Sequence, residues 1–368
     1  MSKMRGRPNA ATPVTLVRHS RLAALCCLLI LGAIACSHTR RPVSRTWTAM
    51  GTFADLTVPG EDGTALDAGV DIARSNLDDL ESRLSIFKSD SEISRLNLSA
   101  GVSNVPVSRQ TEEVIRLSLH YAVATGGAFD PTVAPLVRFW GFNKGLKPSV
   151  VPDHAAISSV IERVGYRHLT TTNQTAFLDL AGMSVDLGGI GKGYAVDACY
   201  QALLANGPPN LMVNLGGNIR CRGSAGPGHP WSIGVRDPFN TDRIVGTIRL
   251  ADGTAVATSG NYEKFVMIGG KRYTHIMDPR TGWPVEGVAS VTVIATNAVE
   301  ADAMSTSVFV LGLKESQPIL RLMPTCRVIF IPDQRPTRVY LFPGARECFT
   351  ADPAFEGEVL DVTTANPG

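Results

Sequence analysis

The chain has 368 residues, 44% of them apolar, with 35 basic against 33 acidic side chains and a formal charge of +2 at neutral pH. That length suits one large domain or two intimately joined halves, and the apolar content supports a sizeable core. The small net charge already argues against a nucleic-acid-binding surface.

Residues 1–35 begin with Lys3, Arg5, Arg7, Arg18 and Arg21 and no acid, followed by an apolar run from Leu22 to Ala35. The run is too short to span a bilayer easily and has the size of a signal-peptide core. It closes as LGAIAC, which resembles a lipoprotein cleavage box, although Ala33 stands where Leu is usual and Ile34 where a small residue is. The expectation is a signal peptide over 1–35, export, and a lipid on Cys36 that anchors the protein to the bacterial inner membrane facing the periplasm. Ordinary secretion with cleavage nearby is the other reading. Loss of the leader removes five basic residues and no acid, so the mature charge moves from +2 to −3. Nothing then asks for nucleic acid. Cys199, Cys221, Cys326 and Cys348 remain, in no zinc-like spacing. Disulfides in an oxidising compartment and buried free thiols both stay open.

Residues 36–44 read as a polar tether to a domain over 45–345. The run RTWTAMGTFADLTV alternates and is β-branched, as in a strand. Over 65–84, Leu66, Val70, Ala73, Leu77, Leu80 and Leu84 recur at helical spacing. Further helices are predicted at 111–125, 153–164, 191–205 and 298–312. From about 167 onward short β-like runs dominate, at 175–180, 183–187, 210–223, 231–235, 244–250, 255–259, 262–268 and 288–296, punctuated by Gly, Pro and Asp. Strands neither alternate strictly with helices nor run alone, so the fold class is α+β with largely antiparallel sheets and flanking helices. Residues 346–368 read as an acidic, mobile tail.

Four stretches could carry chemistry. VDLGGIGKGYAVD, Val185 to Asp197, places four glycines and Lys192 between a strand-like and a helix-like run. It fits neither a Walker A loop nor a dinucleotide fingerprint. Free N–H groups at a helix start still favour an anion, and Gly lets backbone approach a ligand. A tight turn explains the glycines equally well. In the second stretch, Asn297 and Glu300 form a capping signature, and the helix they open sets Asp302 and Thr306 four apart on one face. A carboxylate among so many apolar neighbours needs a partner. With the hydroxyl it makes a hard oxygen pair of the kind that suits Mg²⁺, while an ion pair or backbone N–H groups would satisfy it as well. In the third, RYTHIMDPRTGWPV, strand alternation places Tyr273, His275 and Met277 on one face, and His275 could bind phosphate or move a proton. In the fourth, GAFDPT offers Asp130 beside a turn, with Phe129 as a flat surface for a ring system.

Taken in order, these blocks resemble the FAD:protein FMN transferase family, also called the ApbE family. The likeness is carried by AMGTFADLTV, SIFKSDSEISRLN, GAFDPT, VDLGGIGKGYAVD, NLGGNI, ATSGNYEKF, YTHIMDPRTGWPV and ADAMST, over about 45–315. The resemblance implies an ApbE-like flavin transferase fold. It implies an enzyme that uses FAD as substrate with Mg²⁺ and moves the FMN moiety onto a threonine of an acceptor protein through a phosphoester, releasing AMP. Implied acceptors are subunits of membrane redox complexes carrying a [Asp/Ser]-Gly-[Ala/Ser]-Thr segment, a type of segment this chain lacks. The matching FAD positions are Met50, Phe87, Asn97, Ala128, Phe129, Asp130, Asp186, Lys192 and His275. The matching metal positions are Asp302, Thr306 and the Gly189 carbonyl. Asp130 and His275 are both candidates for the base that takes the threonine proton. Phe87 replaces a commoner Tyr, and Asn218 and Asn261 stand where acids are frequent. A Mg²⁺-dependent FAD pyrophosphatase giving FMN and AMP, or a non-catalytic FAD-binding lipoprotein, would use the same residues.

Overall fold

The run RTWTAMGTFADLTV, expected as one strand, is a hairpin. Val43–Ala49 and Thr52–Val58 pair antiparallel with Ala49 opposite Thr52, leaving Met50 and Gly51 as a two-residue turn. Both have positive φ, 49° and 73°, the conformation whose twist matches that of paired strands. Gly adopts it freely and Met rarely does, so the alternating pattern concealed the turn. The computed structural model describes residues 42–60, 63–143 and 148–363. The leader, Cys36 and most of the expected tether lie outside them, and the first strand begins at Val43, inside the span read as tether.

A nine-stranded sheet forms the centre. Its order is Val43–Ala49, Thr52–Val58, Leu211–Leu215, Asn218–Arg222, Ala255–Gly260, Val288–Ala295, Arg327–Pro332, Arg338–Leu341 and Glu358–Asp361. Every neighbouring pair is antiparallel except the last, where Arg338–Leu341 runs parallel to Glu358–Asp361. The central strand Val288–Ala295 is buried at every residue, because both faces are covered. Val291, Val293 and Ala295 face a large core shared with the helices. Ile294 faces a second core, closed by a three-stranded sheet in the order Phe349–Ala351, Asn240–Leu250, Trp231–Asp237.

The helices follow their apolar spacing. The first is α1 (Gly63–Leu84), which buries Leu66, Val70, Ala73, Leu77, Leu80 and Leu84. Then come α2 (Glu92–Leu98), α3 (Arg109–Ala124), α4 (Ala134–Phe139), α5 (His154–Ile161), α6 (Gly191–Asn206) and α7 (Ala298–Arg321). Ser91, Ser108, Asp153 and Asn297 cap α2, α3, α5 and α7 through their side chains. α7 runs past the expected end at 312, across a break at Gly312 with φ 71°. A third core joins α4 and α5 to the hairpin Phe265–Ile268/Lys271–Thr274 through Leu136, Trp140, Ile157, Val266, Ile268, Tyr273 and Met277.

One further expectation is corrected and one open question is answered. The stretch 346–368 is not a tail as far as Thr363: it supplies Phe349–Ala351 and Glu358–Asp361 to the two sheets. Phe349 is buried, and the acids that suggested a solvated tail pair with arginines, Glu358 with Arg338 and Asp361 with Arg346. Cys199, Cys221, Cys326 and Cys348 are all free and buried, which closes the disulfide question for these four.

α6 and α7 are in close contact at Gly193. A Cβ built there would run into the Ala298 carbonyl oxygen and sit 2.8 Å from Asp302 Cβ. Gly193→Ala should therefore force the helices apart and cost about 1–3 kcal/mol. Gly191→Ala meets only ordinary contact, 3.8 Å from Leu187 Cβ, and should leave stability unchanged or slightly raised. Denaturant unfolding of the two variants checks the contrast.

Candidate active site

The glycine loop is held from beneath by an amide rather than a strand. Met183–Leu187 was expected to be a strand and is not one. Instead Asn97 takes the place of a neighbouring strand: its Oδ1 accepts from Val185 N at 2.6 Å and its Nδ2 donates to Val185 O at 2.9 Å. Asp186 N donates to Pro131 O at 2.8 Å. The Asn97 amide is thus used in fixing the loop. Asp186 closes the next turn, accepting from Gly188 N and from Asn143 Nδ2, each at 2.9 Å.

The chain then turns into α6 with no side-chain cap at Ile190. The helix start is instead served from across the interface. Gly193 N donates to Asp302 Oδ2 at 2.8 Å, so the carboxylate of α7 acts as the cap that α6 lacks. Asp302 is 4% exposed. Burial pushes its carboxyl up from the usual range, while Lys192 and the Gly193 N–H pull it back. The favour is returned: Asp197 of α6 accepts from Ala298 N and Val299 N at the start of α7, each at 2.9 Å, and from Arg220 Nη1 at 2.6 Å.

Asn218 lies between Lys192 and Asp302. Charge decides its orientation, because the reverse sets its oxygen against the carboxylate and its NH₂ against the ammonium. With the nitrogen facing Asp302 it donates to Oδ1 at 3.1 Å, and its oxygen accepts from Lys192 Nζ at 2.9 Å. Thr306 follows Asp302 by one turn. A Cβ at Gly189 would lie 3.3 Å from Thr306 Oγ1 and 3.1 Å from Phe129 Cε2, so a larger residue would have to push one of these side chains back by a few tenths of an ångström. Ser259 Oγ lies 3.5 Å from Thr306 Oγ1 and 2.9 Å from Ser305 Oγ.

His275 comes one residue after its strand, which ends at Thr274. Tyr273 and Met277 are buried in the third core, whereas His275 is half-buried. Its backbone N and its Nδ1 both lie 3.1 Å from the Lys264 carbonyl. Burial, aided by the charges of Lys264 and Lys192, pushes its pKa down to about 4. The ring is therefore neutral at pH 7, with Nδ1–H on the carbonyl and a free lone pair on Nε2. Glu263 reaches solvent on one side, but burial of the rest pushes its carboxyl up, against the pull of Lys192, Lys264 and Arg236.

The structure separates the two candidate bases. Asp130 is 8% exposed and fully engaged: Oδ1 accepts from Thr132 N and Oγ1 at 2.8 and 2.6 Å, and Oδ2 accepts from Tyr166 N at 2.8 Å. It ties the GAFDPT turn to the Gly165–Tyr166 turn, with three donors already on its two oxygens. Phe129 is 4% exposed, so it supports Gly189 instead of offering a flat face to a ring. Ala128 is buried beside it. Met50 and Phe87 are placed by other elements: Met50 in the first hairpin turn, half-buried, and Phe87 in the loop after α1, 57% exposed.

The structure places Lys192 and Asp302 on either side of Asn218 and Gly189 against Thr306, the residues that the sequence reading grouped. That reading missed Asn218 as a bridge, Gly193 and Asp197 as the helix-pairing residues, and Ser259. Asp197 stood in the quoted block one turn after Gly193, and that spacing was the available signal. Among the described residues no three His, Cys, Asp or Glu side chains gather as a metal cluster. The Asp302 carboxylate and the Thr306 hydroxyl one turn on, with Gly189 packed against that hydroxyl, are oxygen groups whose chemistry fits a hard cation that takes most of its ligands from elsewhere.

A family model described as the ApbE family matches residues 50–330. The FAD:protein FMN transferase of Klebsiella pneumoniae (strain 342) is 33% identical over 345 residues, covering 90% of this chain and 97% of that one. The FAD:protein FMN transferase of Escherichia coli (strain K12) is 35% identical over 277 residues, 74% of this chain and 79% of that one. Among solved structures, the flavin transferase ApbE from Vibrio cholerae superposes with a TM-score of 0.75 at 31% identity, over 83% of this chain and 99% of that one. The apo form of the flavinyl transferase ApbE from Pseudomonas stutzeri gives 0.72 at 28% identity, over 86% and 96%.

Asp302 carries a structural bond besides any ligand role, and two substitutions separate the duties. Asp302→Asn keeps an oxygen for Gly193 N and should stay within about 1 kcal/mol of the native stability. Asp302→Ala orphans that N–H and should cost about 1–3 kcal/mol. Thermal and denaturant unfolding of the ligand-free variants checks this; equal losses would remove the cap from the account.

Proposed function

The chain belongs to the ApbE family and is a flavin transferase, and from that premise we propose how its site moves FMN from FAD to a protein hydroxyl. The observation that carries the reading is the start of α6: a glycine loop that leads into a helix, a lysine, and a buried carboxylate one amide away. A diphosphate suits such a place, since the positive end of a helix and an ammonium both favour it. In this reading the loop binds the diphosphate of FAD, and Lys192 faces the oxygen that leaves with AMP.

Asp302, Thr306 and the Gly189 carbonyl would hold Mg²⁺, which when bound neutralises charge on the phosphates. The chain's own residues do the rest. Nε2 of His275 takes the proton of an acceptor threonine. The threonine oxygen forms a bond to the phosphorus on the riboflavin side, and the bond to the AMP oxygen breaks. Lys192 meets the charge that develops on that oxygen. Asn97 and Asp186 keep the loop in place while this happens. Met50 and Phe87 are assigned to the flavin ring, and Ala128 and Phe129 to FAD through the turn they build. Acceptors are proteins carrying a [Asp/Ser]-Gly-[Ala/Ser]-Thr segment, and the chain works on the periplasmic face of the inner membrane, tethered by lipid on Cys36.

Incubation with FAD, Mg²⁺ and an acceptor domain should give AMP and protein-bound flavin in equal amounts. AMP with free FMN would make the chain a pyrophosphatase, and neither product would leave only a binding protein. Lys192→Ala should weaken FAD about ten- to hundredfold, the worth of a charge-assisted hydrogen bond, and FMN by less. Equal losses for both ligands would remove the loop from the diphosphate.

His275 makes a prediction about pH. Its neutral form is the base, and its proton is gained only as pH falls through about 4. The acid limb of kcat/KM should therefore lie well below the ordinary histidine range near 6.5. His275→Gln should lose about 10²–10⁴ in kcat and abolish that limb. An acid limb near 6.5 in the native enzyme, or one that persists in the glutamine variant, would exclude His275 as the base.

A further inference from the structure

Asn218 is 1% exposed, and its amide sits directly between the site's ammonium and its buried carboxylate. Its position is fixed by backbone. Leu215 pairs with Asn218 across a two-residue turn of Gly216 and Gly217, whose φ angles are 57° and 88°. Asn214 Oδ1 accepts from Gly217 N at 2.9 Å and pins the turn. The side chain is therefore delivered to one place, with one workable orientation.

An ammonium and a carboxylate in a recess of low polarity attract strongly and would collapse into a direct ion pair. Such a pair uses up both charges. The amide prevents this by satisfying each at a distance, 2.9 Å to Lys192 Nζ and 3.1 Å to Asp302 Oδ1. An ammonium has three donors and a carboxylate oxygen two lone pairs, so each group keeps free capacity toward a ligand.

We propose that Asn218 is a positioning residue for the transfer reaction: a neutral spacer that keeps Lys192 off Asp302 and turned toward the diphosphate. The inference rests on the diphosphate reading of the glycine loop. It assigns to one buried amide the job of keeping two opposite charges apart and available.

The test is a double-mutant cycle between Asn218→Ala and Lys192→Ala, read as affinity for FAD and for FMN without added metal, with the melting temperature of each variant. Asn218→Ala should weaken FAD on the order of tenfold and FMN by less, and should add almost nothing once Lys192 is already Ala. Asn218→Ser, which can satisfy one neighbour but not both, should fall between and carries the same cycle if the Ala variant does not fold. A loss that is the same in both backgrounds overturns the inference, because Asn218 then acts independently of Lys192. Unchanged FAD affinity in a folded Asn218→Ala or Asn218→Ser overturns it as well. If Lys192→Ala alone leaves FAD affinity intact, the loop reading fails first and takes the inference with it, which separates the two failures.

Discussion

Each of the two helices that carry the site starts on a carboxylate of the other. Asp302 of α7 receives the Gly193 N–H of α6, and Asp197 of α6 receives the Ala298 and Val299 N–H groups of α7. Helix starts leave N–H groups without internal partners and carry partial positive charge, so a carboxylate is the natural complement at both. The exchange locks the two helices in one register. It also demands Gly at 193, because the Ala298 carbonyl occupies the space any larger residue would need. Everything else at the site is hung from this pairing: Lys192 precedes Gly193, Thr306 follows Asp302 by a turn, and Arg220 completes Asp197 from the sheet.

The pairing explains why a buried acid is tolerated in so apolar a helix. Ala301, Ala303, Met304 and Val308 around Asp302 are wholly buried, and an unpartnered carboxylate there would be costly. Gly193 N and Asn218 satisfy one oxygen each. The metal reading and the structural reading of Asp302 are therefore not alternatives. Its two hydrogen bonds fix the direction of the carboxylate and leave lone pairs uncommitted on both oxygens. A residue held this way is pre-organised, with little freedom left to lose on binding.

Much of this was legible in the sequence, and what was not has physical causes. Periodicity located α1, and the Asn297/Glu300 signature located the start of α7, because both are local properties of the chain. Composition placed the glycine loop at a helix start. The first hairpin was hidden because Met50 adopts a backbone conformation normally left to Gly. The strand expected at 183–187 failed because its pairing was a tertiary matter, and Asn97, 88 residues away, met the need of Val185. The tail was misread because charge was taken for solvation, whereas its acids pair along a sheet edge and Phe349 anchors it. Between Asp130 and His275 the sequence could not choose. Only the geometry shows that three donors already occupy one and that a single carbonyl orients the other.

The recess is also arranged so that its own charges are few. Burial pushes the carboxyls of Asp302 and Glu263 up and the imidazole of His275 down, in each case toward the neutral form. Lys192 is the cation common to all three surroundings. A site that disfavours uncompensated charge while keeping one lysine and one oriented carboxylate apart is not at rest electrostatically. In the proposed reading the match would be a ligand that brings both signs at once, a diphosphate together with a divalent cation, since either alone would leave one of the two groups facing an unbalanced neighbour. On this argument the neutral histidine is a consequence as much as a tool. Burial first, and then the same positive charge of Lys192 and Lys264 that favours a diphosphate, keep the imidazole unprotonated, the form that the proposed base role requires.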